Sequence, residues 1–172
     1  MHILAARQYV SPRTRPLTPE EQETRRLSYA IKDPHAPDID FATAGAEMAA
    51  HIHAKAWLIP IPDRNGNTDA NTRLAATIAR FAPPGTQVVK AIVRTAPIES
   101  QCDRHRKKLG PIPVDQHHFK RTGKFLTIRP TYFIDNVTTS GHTFQAAHQA
   151  MSFGIGLAFA DAYNSNNITH HD

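Results

Sequence analysis

The nine residues Asp135-Asn136-Val137-Thr138-Thr139-Ser140-Gly141-His142-Thr143 hold the densest chemistry in the chain. A carboxylate and a carboxamide stand side by side. Three hydroxyl side chains and a glycine follow, and then a helical pattern from about Thr143 to Met151. The run before them, Tyr132 to Ile134, is apolar and β-prone and reads as a buried parallel strand. Strand, acid, small-residue loop and helix start together make an anion-binding device. Loop N–H groups and hydroxyls converge on a phosphate, and the helix dipole favours its charge. The carboxylate can hold hydroxyls of a sugar that carries the phosphate. The competing reading is a strand-to-helix turn that binds nothing. Against it stands the full nine-residue order, where a lone glycine-rich turn would say little.

Cations suited to such an anion lie upstream. Arg64 sits in the polar loop Asp63 to Asp69, and Arg94 follows the apolar run Gln87 to Val93. Arg104, Arg106, Lys107 and Lys108 cluster within residues 95–118, which carry little strand signal. A long basic loop in a compact domain is usually functional or mobile. The expectation is a segment that closes over the site when ligand binds. A solvated helix face or a nucleic-acid patch would show the same cluster. Asp63 is a candidate to help hold a metal, although loop carboxylates more often cap helices.

These residues need a frame. Thr18-Pro19-Glu20-Glu21 predicts a helix start, with Thr as cap and Glu three residues later. That helix should run to about Lys32, with Leu27, Ala30 and Ile31 buried. Asp33-Pro34-His35-Ala36-Pro37 breaks it. Asp38 or Asp40 is expected to cap a second helix over 41–53. Ala56 to Pro62 reads as a buried strand, 70–81 as a helix and Gln87 to Val93 as a strand. A short helix fits between Ile98 and Leu109. Phe119, Phe125 to Ile128 and Gly156 to Ala160 read as strands. Residues 1–17 read as an arm or an irregular cover, and 18–172 as a single domain. Strands alternating with helices imply an α/β fold, a mainly parallel sheet flanked by helices. Ligands bind such sheets beyond the carboxyl ends of the strands. The loops at 63–69, 95–118 and 138–143 should share that edge.

Composition narrows the classes. The chain has 172 residues, 40% of them hydrophobic, enough for one core. No apolar run approaches the roughly 18 residues of a membrane span, and no signal-peptide pattern opens the sequence. The one cysteine, Cys102, excludes an internal disulfide and a Cys-rich zinc module. A cytoplasmic location is the expectation. The net charge of +5 suits a phosphate-rich ligand or nucleic acid. The eleven histidines are scattered without carboxylate or thiol companions at ligand spacing. The closing His170-His171-Asp172 is expected to fray. No G-x-G-x-x-G follows any strand, which disfavours a dinucleotide enzyme.

The nine-residue stretch resembles the phosphoribosyl pyrophosphate (PRPP) signature of type I phosphoribosyltransferases, an apolar strand, two acids and a T-T-G-x-T loop. Asn136 stands in place of the second acid and Ser140 in place of the second Thr. Over residues 27 to about 161 the order of features resembles the ComF-like, competence-associated phosphoribosyltransferase family. Leu27 to Lys32 is similar to its early helix ending in a lysine turn, and Ile59-Pro60-Ile61-Pro62 to its apolar Pro-containing strand end. Asn71-Thr72-Arg73-Leu74-Ala75 is similar to the Asn that opens its next helix, and Arg94 and Gln101 to the Arg and Gln of its flexible loop. The family's zinc module has no counterpart here, and its Arg-Gly-Phe before the Asn is replaced by Thr68-Asp69-Ala70.

The resemblance implies a type I phosphoribosyltransferase-like fold. It implies transfer of a 5-phosphoribosyl group to a nitrogen nucleophile, a nucleobase, with release of pyrophosphate. PRPP or a nucleoside monophosphate would bind at Thr138, Thr139, Ser140, Gly141, His142 and Thr143. Pyrophosphate would bind at Pro62, Asp63 and Arg64. Asp135, Asn136, Arg94, Arg104 and Arg106 would be catalytic, with Mg²⁺ held in part by Asp135. The alternative is a non-catalytic module for a phosphoribosyl ligand or single-stranded nucleic acid. Oligomeric state, including a homodimer, stays open.

Overall fold

The computed structural model describes residues 1–12, 15–123 and 128–162. In chain order the elements are β1 (Ile3–Tyr9), α1 (Pro19–Ala30), α2 (Asp38–Ala49), β2 (Trp57–Pro60), α3 (Asp69–Phe81), β3 (Gln87–Val88) and β4 (Ile92–Arg94), then α4 (Gln101–Arg106), a 3-10 turn (Val114–His117), β5 (Phe119–Arg121), β6 (Thr131–Thr138), α5 (His142–Met151) and β7 (Ile155–Ala162). Five strands form one sheet in the order β1-β7-β6-β2-β3, and every pairing in it is parallel. The expected α/β architecture is therefore present.

Alternation along the strands divides the core between the two faces of the sheet. Leu58, Tyr132, Ile134, Leu157 and Phe159 pack against Leu27, Phe41, Met48, Leu74 and Ile78 of α1, α2 and α3. Ile59, Phe133 and Ala158 face the other way, onto Phe144, Ala147 and Met151 of α5 and onto Ile92. At Gly45 a Cβ would lie 2.7 Å from Thr77 Cγ2, so α2 and α3 approach closely where no side chain intervenes. Thr18 and Glu21 form the expected capping box on α1.

Four local expectations are corrected. Residues 3–9 are not an irregular arm but an edge strand paired with β7 over its whole length. Ala5, Ala6 and Arg7 have low strand preference, but Arg7 forms an ion pair with Glu47 and lies over the Phe159 ring, and this tertiary context prevails. Neither Asp38 nor Asp40 caps α2, whose cap is Pro37. The two acids instead pair with Arg73 and Arg26.

The run 87–93 is not one strand. Val88 closes the sheet edge, and the chain then turns so that Ala91 and Ile92 join the core of the α5 face. Ile92–Arg94 pairs antiparallel with β5 in a separate ribbon. The signature strand also continues beyond Ile134 through Thr138, held by β7 alone once β2 ends at Pro60. The expected strand at Phe125 to Ile128 falls mostly on residues 124–127, and the His170-His171-Asp172 tail lies beyond 162. Both are outside the described residues.

Candidate functional site

The chain runs from β2 toward β3 on one side and from β6 toward β7 on the other, so the order of strand addition reverses between the parallel neighbours β2 and β6. A parallel sheet opens a crevice at such a point, beyond the strands' carboxyl ends. A cleft of about 770 Å³ lies there, with Pro62, Asp63, Arg64, Arg94, Asp135, Asn136 and Thr143 in its lining. Lys32, Asn71 and His117 line it as well. The cleft thus gathers residues from the loop after β2, the first turn of α3, segment 94–117, β6 and the start of α5.

Past the end of β2, the backbone of β6 loses its neighbour on that side, and side chains take over. Asp135 Oδ1 accepts from the Asn136 N–H at 2.8 Å and from Asn71 Nδ2 at 3.2 Å. Asn136 Oδ1 accepts from the Val137 N–H at 2.7 Å. Burial pushes the Asp135 carboxyl above the usual range, against the lowering effect of these hydrogen bonds, Lys32 and Arg94. Asp135 Oδ2 accepts no hydrogen bond among the described residues.

Of residues 138–143, only Thr143 is in the lining of this cleft. Thr138 and Gly141 are buried, while Thr139 and Ser140 are exposed outside the cleft lining. Gly141 is the N-cap of α5 at φ 73°, and no side chain caps this helix. The first-turn N–H groups of Thr143 and Phe144 therefore lack intrahelical acceptors and are oriented for an anion. Glycine suits this position on two counts, of which the positive φ is the stronger. Besides its left-handed backbone, a Cβ there would lie 2.8 Å from Ile3 Cδ1. His142 turns away from the loop, its Nδ1 2.9 Å from the Ile112 carbonyl oxygen. That contact ties the loop to segment 95–118.

After β2, Asp63 shapes its own loop. Its Oδ1 accepts from the Asn65 and Asn67 N–H groups, each at 2.8 Å. Arg64 is exposed and lies 3.9 Å from Asp103. Arg94 lines the cleft with its guanidinium engaged by backbone. Its Nε donates to the Asp63 carbonyl at 2.7 Å, and its terminal nitrogens donate to the carbonyls of Pro62 and His117. The guanidinium stacks 4.3 Å from the Phe119 centroid, and burial lowers its pKa to about 10, so it stays charged at neutral pH.

Arg104 and Arg106 do not line the cleft. Arg104 bonds the Gly110 carbonyl and lies near Glu99, and Arg106 pairs with Asp103. Gln101 opens α4, and its side chain is outside the described set. The basic cluster is therefore largely paired with its own acids, Glu99 and Asp103.

Nothing in the sequence pointed to His117. The residue is 3% exposed, neither ring nitrogen has a well-formed hydrogen bond among the described residues, although the ring lies near the Ile112 backbone, and the ring centroid is 5.7 Å from that of Phe119. Burial, followed by the charges of Arg94 and His142, lowers its pKa to about 4, so it is neutral at pH 7.

A metal can be tested against these donors. Among the described residues, no group of three His, Cys, Asp or Glu side chains is placed to hold an ion alone. The Asp135 carboxylate with its unengaged Oδ2 fits a largely hydrated Mg²⁺ that a phosphorylated ligand would help to hold. Also among the described residues, no helix is long and apolar enough to cross a membrane. No protein-family model matches the chain, and no curated protein matches it.

Proposed function

We propose that the cleft binds a 5-phosphorylated ribose, as PRPP or a nucleoside monophosphate, and transfers the phosphoribosyl group from PRPP to a nitrogen nucleophile with release of pyrophosphate. One observation carries this reading. Asp135, the uncapped start of α5 and the loop after β2 meet in one cleft at the reversal point of a parallel sheet. The resemblance of residues 135–143 to the PRPP signature supports the assignment, and a composition with one cysteine suits a cytoplasmic location.

In this reading the 5′-phosphate sits on the Thr143 and Phe144 N–H groups and accepts from the Thr143 hydroxyl. Asp135 receives the ribose hydroxyls and faces the positive charge that builds on the ring as the bond to pyrophosphate breaks. The loop Pro62-Asp63-Arg64 cradles the departing pyrophosphate. Segment 95–118, anchored beside the cleft, keeps water from the reacting carbon. Mg²⁺, when bound with the ligand, would supply charge neutralisation at the pyrophosphate.

A second reading, binding without turnover, is favoured by a specific observation. Arg94, Arg104 and Arg106 are all engaged by protein groups, and Asn136 adds no charge. Calorimetric titration with PRPP and Mg²⁺, AMP and a short single-stranded oligonucleotide separates the readings, combined with assays of pyrophosphate release in the presence of nucleobases. Binding of PRPP with pyrophosphate release supports the enzyme. Binding of AMP without turnover supports the module. Failure of both phosphoribosyl ligands to bind sinks the assignment.

A further inference from the structure

We infer that Asn71 is a positioning residue that orients the Asp135 carboxylate toward the ligand. This rests on the reading of the cleft given above. Asn71 is 8% exposed in the first turn of α3 and lines the cleft. Its Nδ2 donates twice, to the Ile61 carbonyl at 2.8 Å and to Asp135 Oδ1 at 3.2 Å. Ile61 lies just past the end of β2, and Asp135 lies on β6 where β2 no longer pairs with it. One amide thus bridges the two strands where they part.

The Ile61 carbonyl fixes which way the amide points. A carbonyl only accepts, so the –NH₂ group must face it, and the same group then reaches Asp135 as a donor. Asn71 Oδ1 is buried without a partner among the described residues, so none of them competes for the orientation. With the Asn136 N–H also directed at Oδ1, both donors hold the same carboxylate oxygen and leave Oδ2 open. A carboxylate held by two donors keeps one rotamer, and a preorganised charge needs no rearrangement as the ribose becomes cationic. With an amide at 136, this single oriented carboxylate carries the negative charge of the pair.

A double-mutant cycle tests the coupling, with the intact chain and PRPP plus Mg²⁺ as the probe. Asn71→Leu keeps the volume and removes the donors. In the native background it should weaken binding about tenfold, as for loss of one hydrogen bond to a charged group. In an Asp135→Ala background it should weaken binding less than about twofold, because the group through which it acts is gone. The stability lost with the Ile61 bond should appear in both backgrounds, while the part lost with the Asp135 bond, like the affinity, should appear only where Asp135 is present. Equal loss of affinity in both backgrounds, or none in either, overturns the inference. If Asn71→Leu does not fold, Asn71→Ser takes its place in the same cycle. If the native chain binds no PRPP, the ligand reading fails by itself. The cycle is then read on unfolding midpoints in denaturant, where zero coupling between positions 71 and 135 overturns the contact as well.

Discussion

The guanidinium of Arg94 donates to the main-chain carbonyl of His117, whose buried imidazole packs on the same Phe119 ring that the guanidinium covers. With its bonds to the Pro62 and Asp63 carbonyls, Arg94 pins segment 95–118 to the loop after β2. The resemblance implies a catalytic arginine here, and at the cleft edge the same guanidinium also holds three main-chain carbonyls. Arg94→Ala should cost about 2–4 kcal/mol in urea unfolding, as three carbonyls lose a charged donor. A variant as stable as the native chain would return Arg94 to ligand contact.

His117 should make stability depend on pH. Its pKa is about 4 folded against 6.5 unfolded, so the unfolded chain binds more protons between those values. The stability that the neutral ring contributes is complete above about pH 6.5 and falls as pH drops toward 4. The loss should be on the order of 3 kcal/mol. His117→Phe should flatten this part of the profile. An identical slope in the variant would assign the dependence to other groups.

Thr143→Val should lower affinity for AMP about tenfold, the cost of one hydrogen bond to a charged group, with little change in melting temperature. Gly141→Val is the harsher probe. The positive φ and the approach to Ile3 mean that it disturbs the loop itself, so both binding and stability should fall. Unaltered affinity in both variants would place the phosphate elsewhere.

Asn136→Asp should raise turnover more than it changes PRPP affinity. An aspartate can still accept from the Val137 N–H, so the fold is kept while a negative charge is added opposite the cationic ribose. A rate that stays level or drops in the Asp variant counts against a charge-limited reaction.

Hydrogen exchange should slow across residues 95–112 when PRPP and Mg²⁺ bind. The segment is tied at its ends, by Arg94 and the Thr95–His118 backbone bond at one and by His142 to the Ile112 carbonyl at the other. Its middle meets the rest mainly through the Ile98 N–H on the Arg64 carbonyl and an exposed ion pair of Arg64 with Asp103. Slow exchange already in the free protein, unchanged by ligand, would leave a fixed wall in place of a lid.

The sequence by itself determined the parts whose causes are local. Alternating apolar runs and caps are written in neighbouring residues, so the α1 capping box, the β6 strand, the start of α5 and the parallel α/β class were legible. The cluster Asp135 to Thr143 was legible for the same reason. Tertiary structure decided what depends on partners distant in the chain. Residues 3–9 became a strand because β7 offered an edge, and the run 87–93 split because its halves pack on different surfaces. Arg94 became a pin, Arg104 and Arg106 were paired away from the cleft, and Asn71 met Asp135 across 64 residues. Side-chain type states which bonds a residue can make. Which of them it makes is set by where the packed strands and helices put its partners, and short-range sequence pattern carries little of that information.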